Sequence, residues 1–514
     1  MTNEAILPHP VLIGGQWRAA RANGVFHAEN PATGEALPGE YPVSSWEDCD
    51  AALGAAAEAA PVLRRAAPGQ IAEFLTRYAE RIEERAGEIV EMAHLETGLE
   101  KAPRLAGVEL PRTTGQLRQA AAAAIDGSWA LPVIDVRLDL RSRYEPIGPV
   151  LVLGPNNFPF AYNCVAGGDF AAAIAAGNPV IGKGHPSHPG TTCLMAREAA
   201  LAARESGLPA GTVQMLCHVG NEDGLRMVAD RRLAAVGFTG SRAAGLALKA
   251  AADAAGKPAF LEMSSLNPVV ILPGALAERG AEIAGEFAAS CLLACGQMCT
   301  KPGIVLLFAE AGLDRFIAAA KEKFEATAVG PLLSAGVARS LRESVQTLRE
   351  AGALVITGAG SIEGPGYRFP NTLLSVSGSQ FLADPEKLQR EAFGNAALFV
   401  IMDGVEEAAA ILAHFDGNLT GGIYSDSVGA DDGLYGRLAP LLRARVGRFL
   451  NDKMPTGVAV SPAMNHGGPF PATGHPGFTA VGIPAAMRRF AMLACYDNVR
   501  PGRLPAQLRD PGPQ

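Results

Sequence analysis

Along the middle of the chain, short apolar runs alternate with longer Ala-rich amphipathic stretches. The runs at 149–154, 179–183, 212–216, 234–238, 258–262 and 269–272 read as strands. They are continuously apolar, as parallel strands covered on both faces are. The stretches at 170–177, 191–205, 222–230 and 241–254 read as helices, Ala being the best helix former. Strands and helices in this order predict a doubly wound, Rossmann-like parallel sheet, so the fold class is α/β. A second alternation, from about 278 to 446, has strands at 304–308, 353–357 and 396–401 and a helix at 313–326. It predicts a second α/β domain beginning near residue 264. The stretches 51–60 and 120–124 read as helices rather than linkers. Residues 137–144, with alternate apolar positions, predict an exposed two-faced strand, an arm that reaches another subunit. The polar, Pro-containing end at 510–514 is expected to fray.

At 514 residues the chain is too long for one core; at roughly 150 residues per domain, about three domains are expected. Apolar residues at 48 % are enough to fill large cores, and a net charge of −8 argues against a nucleic-acid partner. Eight cysteines in a chain this long make no disulfide framework, so a reducing, cytoplasmic setting is expected. The first ten residues lack the basic patch and apolar core of a signal peptide. Apolar stretches such as 149–166 are broken by Gly, Pro and Asn short of the ~20 residues a membrane span needs, so none is expected.

Cys299 is the first candidate for chemistry. It lies in Ala294-Cys295-Gly296-Gln297-Met298-Cys299-Thr300-Lys301, a small turn between a helix and the strand at 304–308. A thiol attacks a carbonyl as the thiolate, so the site must lower its pKa or lend it a base. Taken alone, a free Cys is more often buried and inert. Cys291, Cys295 and Cys299 at four-residue spacing also allow a metal, although no fourth ligand lies nearby in sequence. Glu262, ending the run at 258–262, is a candidate base whose pKa would rise on burial; an exposed strand-end Glu is the plain alternative. Asn157, in the turn Gly154-Pro155-Asn156-Asn157, follows a strand where α/β sheets place ligands. Its amide could serve an oxyanion, or the segment could be only a turn.

Gly240, Ser241 and Gly245 open a helix whose N–H groups could hold a pyrophosphate. Lys183, His185 and Ser187 end another strand with no acidic residue in the next turn, which favours a 2′-phosphate and hence NADP, with NAD possible. A plain loop with a solvated Lys is the alternative there. Phe158, Tyr162 and Phe470 could line an apolar substrate tunnel. No cation can be assigned to that tunnel from sequence, and the nine histidines show no pattern that would pair one with Cys299 as in a thiol hydrolase.

Taken in order along the chain, these stretches resemble the aldehyde dehydrogenase superfamily. Ile13-Gly14-Gly15-Gln16-Trp17, Asn30-Pro31-Ala32-Thr33-Gly34-Glu35 and Glu96-Thr97-Gly98 are similar to its N-terminal motifs. Glu391-Ala392-Phe393-Gly394 is similar to its stretch against the nicotinamide ribose, which brings in Glu391 and Phe393. Lys183-Gly184-His185-Pro186-Ser187 and His466-Gly467-Gly468-Pro469-Phe470 resemble the NADP-preferring branch typified by α-ketoglutaric semialdehyde (2,5-dioxovalerate) dehydrogenase and a bacterial fatty aldehyde dehydrogenase. The resemblance implies NADP-dependent oxidation of a small-molecule aldehyde, such as 2,5-dioxopentanoate or else a fatty or aromatic aldehyde. Cys299 would be the nucleophile, Asn157 the oxyanion donor and Glu262 the water-activating base. Branches that resolve the thioester with CoA or phosphate tend to lack that base. The resemblance also implies an NAD(P)-binding domain of 1–125 and 145–263, a catalytic domain of 264–465, and a bridging segment of 126–144 and 466–514 in a homodimer or homotetramer. Asn156 and Met263-Ser264-Ser265 depart from the usual pattern.

Overall fold

In the computed structural model, which describes residues 8–509, two seven-stranded sheets carry the molecule. The expected fraying of 510–514 lies outside the described residues, as does most of the N-terminal segment.

The first sheet runs Ala259–Glu262, Ala235–Thr239, Val150–Leu153, Val180–Lys183, Val213–Leu216, Val11–Ile13, Gln16–Arg18. The first five strands pair in parallel, and the two N-terminal strands close the edge in antiparallel fashion. Val-Leu-Val-Leu at 150–153 is buried along almost its whole length because helices cover both faces. Trp46–Leu63 and Pro189–Glu205 are among those helices, and Pro68–Glu84 packs outside them against Pro189–Glu205 and Leu110–Asp126. In Pro68–Glu84 the buried residues Ile71, Phe74, Leu75, Tyr78 and Ile82 recur at three- and four-residue spacing and form one apolar stripe. Each such side chain, fully buried, contributes about 1.5–3 kcal/mol.

The second sheet runs Leu354–Thr357, Thr372–Ser377, Ala396–Met402, Ile304–Phe308, Val269–Ile271, Asn418–Tyr424, Val446–Asn451, with only the first strand antiparallel. Ile304–Phe308 lies near its centre and is buried throughout. Separate apolar clusters fill its two faces.

Leu140–Pro146 pairs on one side with Ala491–Asp497 and on the other with Val133–Asp135 in a small sheet. Residues 137–144 are therefore not one strand. A turn closed by Asp135, whose carboxylate accepts from the Arg137 and Leu138 N–H groups, occupies the start of that segment. Alternation of apolar residues alone could not reveal the reversal. Val133, Val136, Leu138, Met492 and Leu493 are exposed on this sheet and its turn.

Candidate functional site

At the carboxyl ends of the first sheet's parallel strands stand Lys183 and Glu262, the last residues of theirs, and Asn157 and Ser241, in the loops that follow theirs. Opposite them, the second sheet offers the segments that lead into its strands: Cys299 before Ile304–Phe308 and Glu391 before Ala396–Met402. The Asn157 amide donates to the Gln297 carbonyl at 2.9 Å and so joins the two sides two residues before the thiol.

The Cys299 turn is gripped from several directions. Gly296 has a φ of +68°, and a Cβ there would meet the Gly394 carbonyl oxygen at 2.1 Å, so only glycine permits this approach. The buried Lys301 ammonium donates to the carbonyls of Ala392, Gly394 and Ala396 at 2.7, 3.0 and 2.6 Å. Burial lowers its pKa below the ordinary lysine value. The Asn267 amide donates to the carbonyls of Cys299 and Lys301 at 2.9 and 2.8 Å. The thiol therefore rests on the same backbone that carries Glu391.

The turn of Asn157 is fixed by a buried ion pair. Glu109 accepts from the N–H groups of Phe160 and Ala161 at 2.8 and 3.0 Å and pairs with Arg104 at 2.6 Å, while Arg104 donates to the Asn157 carbonyl. Glu109 and Arg104 were not singled out in the sequence, since neither sits in a motif of its own.

Cys299 is partly exposed and Glu262 is buried. Between them stands His466, whose Nε2 is 3.5 Å from Cys299 Sγ and 3.0 Å from Glu262 Oε1. Glu262 Oε2 is buried with no protein partner among the described residues. The Cys299 thiol is held well above its ordinary pKa, first by burial and then by the Glu262 carboxylate, against the opposing pull of Arg112. Histidine spacing alone nominated no partner for Cys299; the structure supplies His466 from 167 residues away. Cys291 is packed into the core, its thiol pushed up to about 11 by burial, and Cys295 lies against Gly330. Among the described residues these two do not join Cys299 in a cluster of potential metal ligands.

Phe158 and Tyr162 meet edge to face at 5.3 Å. Phe470 is 59 % exposed, sits against Arg242 and makes no ring contact with either of them among the described residues. Two cations that the sequence could not place stand here. Arg112 donates to the Tyr162 hydroxyl and the Val458 carbonyl, and Arg448 donates to the Gly457 and Pro455 carbonyls. Both guanidinium groups act electrostatically on Cys299. Among the described residues neither is paired with a carboxylate, and the Nε of each is buried without a partner.

On the dinucleotide side, Ser241 caps the helix Arg242–Ala254, its hydroxyl accepting from the Ala244 N–H. A Cβ on Gly245 would meet Met263 at 2.8 Å, so this helix lies close against the strand-end segment after Glu262. Lys183 ends its strand with its pKa lowered by burial. His185 is held well below the usual imidazole range, first by burial and then by His188, Lys183 and His218. Its Nδ1 accepts from the Ser187 N–H at 3.1 Å. The helix after this turn, Pro189–Glu205, is held at its start by Glu96, which accepts from the N–H groups of Gly190 and Thr191 at 2.7 and 2.9 Å. Glu391 is half-buried, its pKa raised by burial against an opposing influence of Ser264, and Phe393, two residues beyond, is half-buried as well. A helix N-terminus, a strand-end lysine and a half-buried carboxylate are groups whose chemistry fits a nicotinamide dinucleotide.

The aldehyde dehydrogenase family profile matches residues 17–434. The chain is 38 % identical to α-ketoglutaric semialdehyde dehydrogenase 2 of Azospirillum brasilense, over 98 % of this chain and 97 % of the relative. It is 36 % identical to α-ketoglutaric semialdehyde dehydrogenase of Acinetobacter baylyi, over 91 % and 89 %. The fold is similar to that of 3,6-anhydro-L-galactose dehydrogenase solved in complex with NAP, with a TM-score of 0.81 at 21 % identity over 95 % of this chain and 99 % of the other. Enzymes of this kind use NAD(P), and the chain is an oxidoreductase acting on aldehydes: it belongs to the aldehyde dehydrogenase family.

Proposed function

We propose that the protein oxidises a semialdehyde with a carboxylate at its far end, of the 2,5-dioxopentanoate class, to the diacid, with NADP preferred over NAD. The observation that carries the substrate class is the pair of guanidinium groups, Arg112 and Arg448, near the thiol without carboxylate partners among the described residues. Two buried or half-buried cations that lack a counter-charge favour an anionic ligand. The names of the Azospirillum and Acinetobacter relatives point to the same chemistry. A second reading, a fatty or aromatic aldehyde, draws on the Phe158–Tyr162 pair.

In this reading Cys299 Sγ bonds to the carbonyl carbon, and the oxygen takes the negative charge. The Asn157 amide, already turned toward the Cys299 loop, donates to that oxygen. One such donor contributes about 2.7–4 kcal/mol to the transition state. A bound nicotinamide dinucleotide supplies the acceptor for the hydride that leaves the carbon. Glu262, with one carboxylate oxygen unpartnered, takes a proton from water as the water oxygen bonds to the thioester carbon. The C–S bond then breaks and the acid departs. The dinucleotide would be held by Gly240, Ser241 and Gly245 at the pyrophosphate, Lys183, His185 and Ser187 at the adenosine ribose, and Glu391 and Phe393 at the nicotinamide ribose. No carboxylate is among the groups that act on Lys183, which supports a 2′-phosphate there.

A homodimer or homotetramer is proposed on the exposed apolar residues Val133, Val136, Leu138, Met492 and Leu493 of the small sheet and its turn. A cytoplasmic location is proposed on the eight free cysteines. Among the described residues no helix is long and apolar enough to cross a membrane. The domain division proposed from sequence needs one refinement: the segment that begins at His466 contributes to the site as well as to the bridging sheet.

A kinetic panel of 2,5-dioxopentanoate, succinic semialdehyde, benzaldehyde and hexanal, each with NADP and NAD, tests the reading. The expected result is the highest kcat/KM for 2,5-dioxopentanoate with NADP. In Arg112→Gln the KM for that substrate should rise about tenfold, the equivalent of one lost charged contact, with hexanal little changed. A higher kcat/KM for hexanal or benzaldehyde would overturn the substrate class. A higher value with NAD would overturn the reading of the 183–187 turn.

A further inference from the structure

A nucleophilic thiol and a catalytic carboxylate make poor neighbours. A thiolate at Cys299 is opposed first by burial and then by the Glu262 charge, so the group needed to activate water works against the group needed to attack the aldehyde. His466 stands at that conflict. It is 1 % exposed, and a single ring nitrogen, Nε2, faces both Cys299 Sγ and Glu262 Oε1. Its backbone is fixed as well, the N–H donating to Thr479 Oγ1 at 3.0 Å and the carbonyl accepting from the Ala480 N–H at 2.9 Å. The Tyr162 ring lies 6.1 Å away.

We infer that His466 is a catalytic residue of this enzyme: it takes the Cys299 proton and, as the imidazolium, stands between the thiolate and the Glu262 carboxylate. This rests on Cys299 being the nucleophile. With its hydrogen on Nδ1, the neutral ring presents the Nε2 lone pair to the thiol. The S–H bond breaks, an N–H bond forms at Nε2, and the electron pair stays on sulfur. No oxidant or reductant takes part. The new N–H then points between two anions, and the cation offsets the charge that the thiolate adds, so the three groups together keep a net charge of −1. The thiolate pair forms the C–S bond with the aldehyde carbon, and the charge moves to the oxygen facing Asn157. When the thioester is hydrolysed, the water proton goes to Glu262 and the thiolate is released beside the imidazolium that can hold it. Glu262 is thereby kept for water and is not consumed in activating the thiol. The charged and titratable groups around Cys299 are Glu262, His466, Arg112, Glu391, Tyr162 and Arg448. The two arginines also favour the thiolate, but each acts from a distance and neither can accept a proton.

The test is the pH dependence of Cys299 alkylation by iodoacetamide in the full-length protein without aldehyde, with the modified residue located by mass spectrometry. The wild type, His466→Gln and His466→Phe are compared, with melting temperature and NADP affinity measured alongside. In both variants the inflection should move up by at least about one pH unit, slowing alkylation at pH 7 about tenfold, with cofactor affinity retained. An unchanged alkylation profile overturns the proposal, whether turnover survives or falls. Slower thioester hydrolysis with normal alkylation would overturn it too, since His466 would then act only through Glu262. Lower melting temperature and cofactor affinity with an unmoved inflection would mark a structural role and likewise overturn it. Failure of the underlying reading has a different signature: full turnover by Cys299→Ser, which removes the nucleophile and says nothing about His466.

Discussion

The two seven-stranded sheets contribute to the site from opposite ends. The first offers the carboxyl ends of its parallel strands, at Lys183 and Glu262, and the loops that follow, at Asn157 and Ser241. The second offers the segments that precede its strands, at Cys299 and Glu391. In open α/β sheets, ligands sit outside the carboxyl ends of the strands, where loops diverge and helix N-termini point inward. The first sheet follows that rule. The second uses its amino edge, where no helix N-terminus positions the thiol. Its turn is held instead by dedicated anchors: Lys301 on three carbonyls, Asn267 on two, and Gly296 pressed onto Gly394. In the proposed reading the first side would bind and orient with general features of the fold, while on the second side Lys301, Asn267 and Gly296 hold the turn that carries the thiol.

Perturbing each side should therefore fail in a different way. The largest effect is expected for Asn157→Ala on the first side, a loss of about 10²–10³ in kcat with a small change in melting temperature. Steady-state kinetics beside a thermal melt would show it, and a loss confined to KM would mean that Asn157 only binds. On the second side, Lys301→Met leaves three buried carbonyls without their donor, each worth about 1–3 kcal/mol. Here both stability and Cys299 reactivity should fall together in denaturant unfolding and thiol titration. If only activity fell, the anchoring account of the second side would be wrong. The smallest effect is expected for Lys183→Ala, where the KM for NADP should rise about tenfold, as for one lost charge-assisted bond, with kcat nearly unchanged.

The same contrast explains what could be read from the chain. Strand ends such as 150–153 and 259–262 are local patterns, so Asn157 just after one and Glu262 at the end of another could be named as candidates, with their roles coming from the family resemblance. The order of the strands and the helices between them was legible for the same reason. Arg112, Arg448 and His466 have no such signature. Arg112 projects from a helix and Arg448 from a strand, and His466 comes from an irregular segment 204 residues beyond Glu262. Their meeting depends on how two domains face one another, which no window of sequence encodes. Lys301 could have been noticed, since a lysine directly beside a buried strand must find carbonyls or a counter-charge. The turn at 136–139 was hidden because the alternation of Leu138, Leu140 and the polar residues between them continues across it.

The central claim is that Cys299 carries the substrate as a thioester that Glu262 helps water to release. Glu262→Gln mixed with NADP and 2,5-dioxopentanoate, quenched in acid and examined by intact and peptide mass spectrometry, tests it most directly. The account predicts one equivalent of NADPH formed in a burst, followed by a stalled protein whose Cys299 peptide carries the added acyl group. Continued turnover at the wild-type rate with Cys299 unmodified would contradict it.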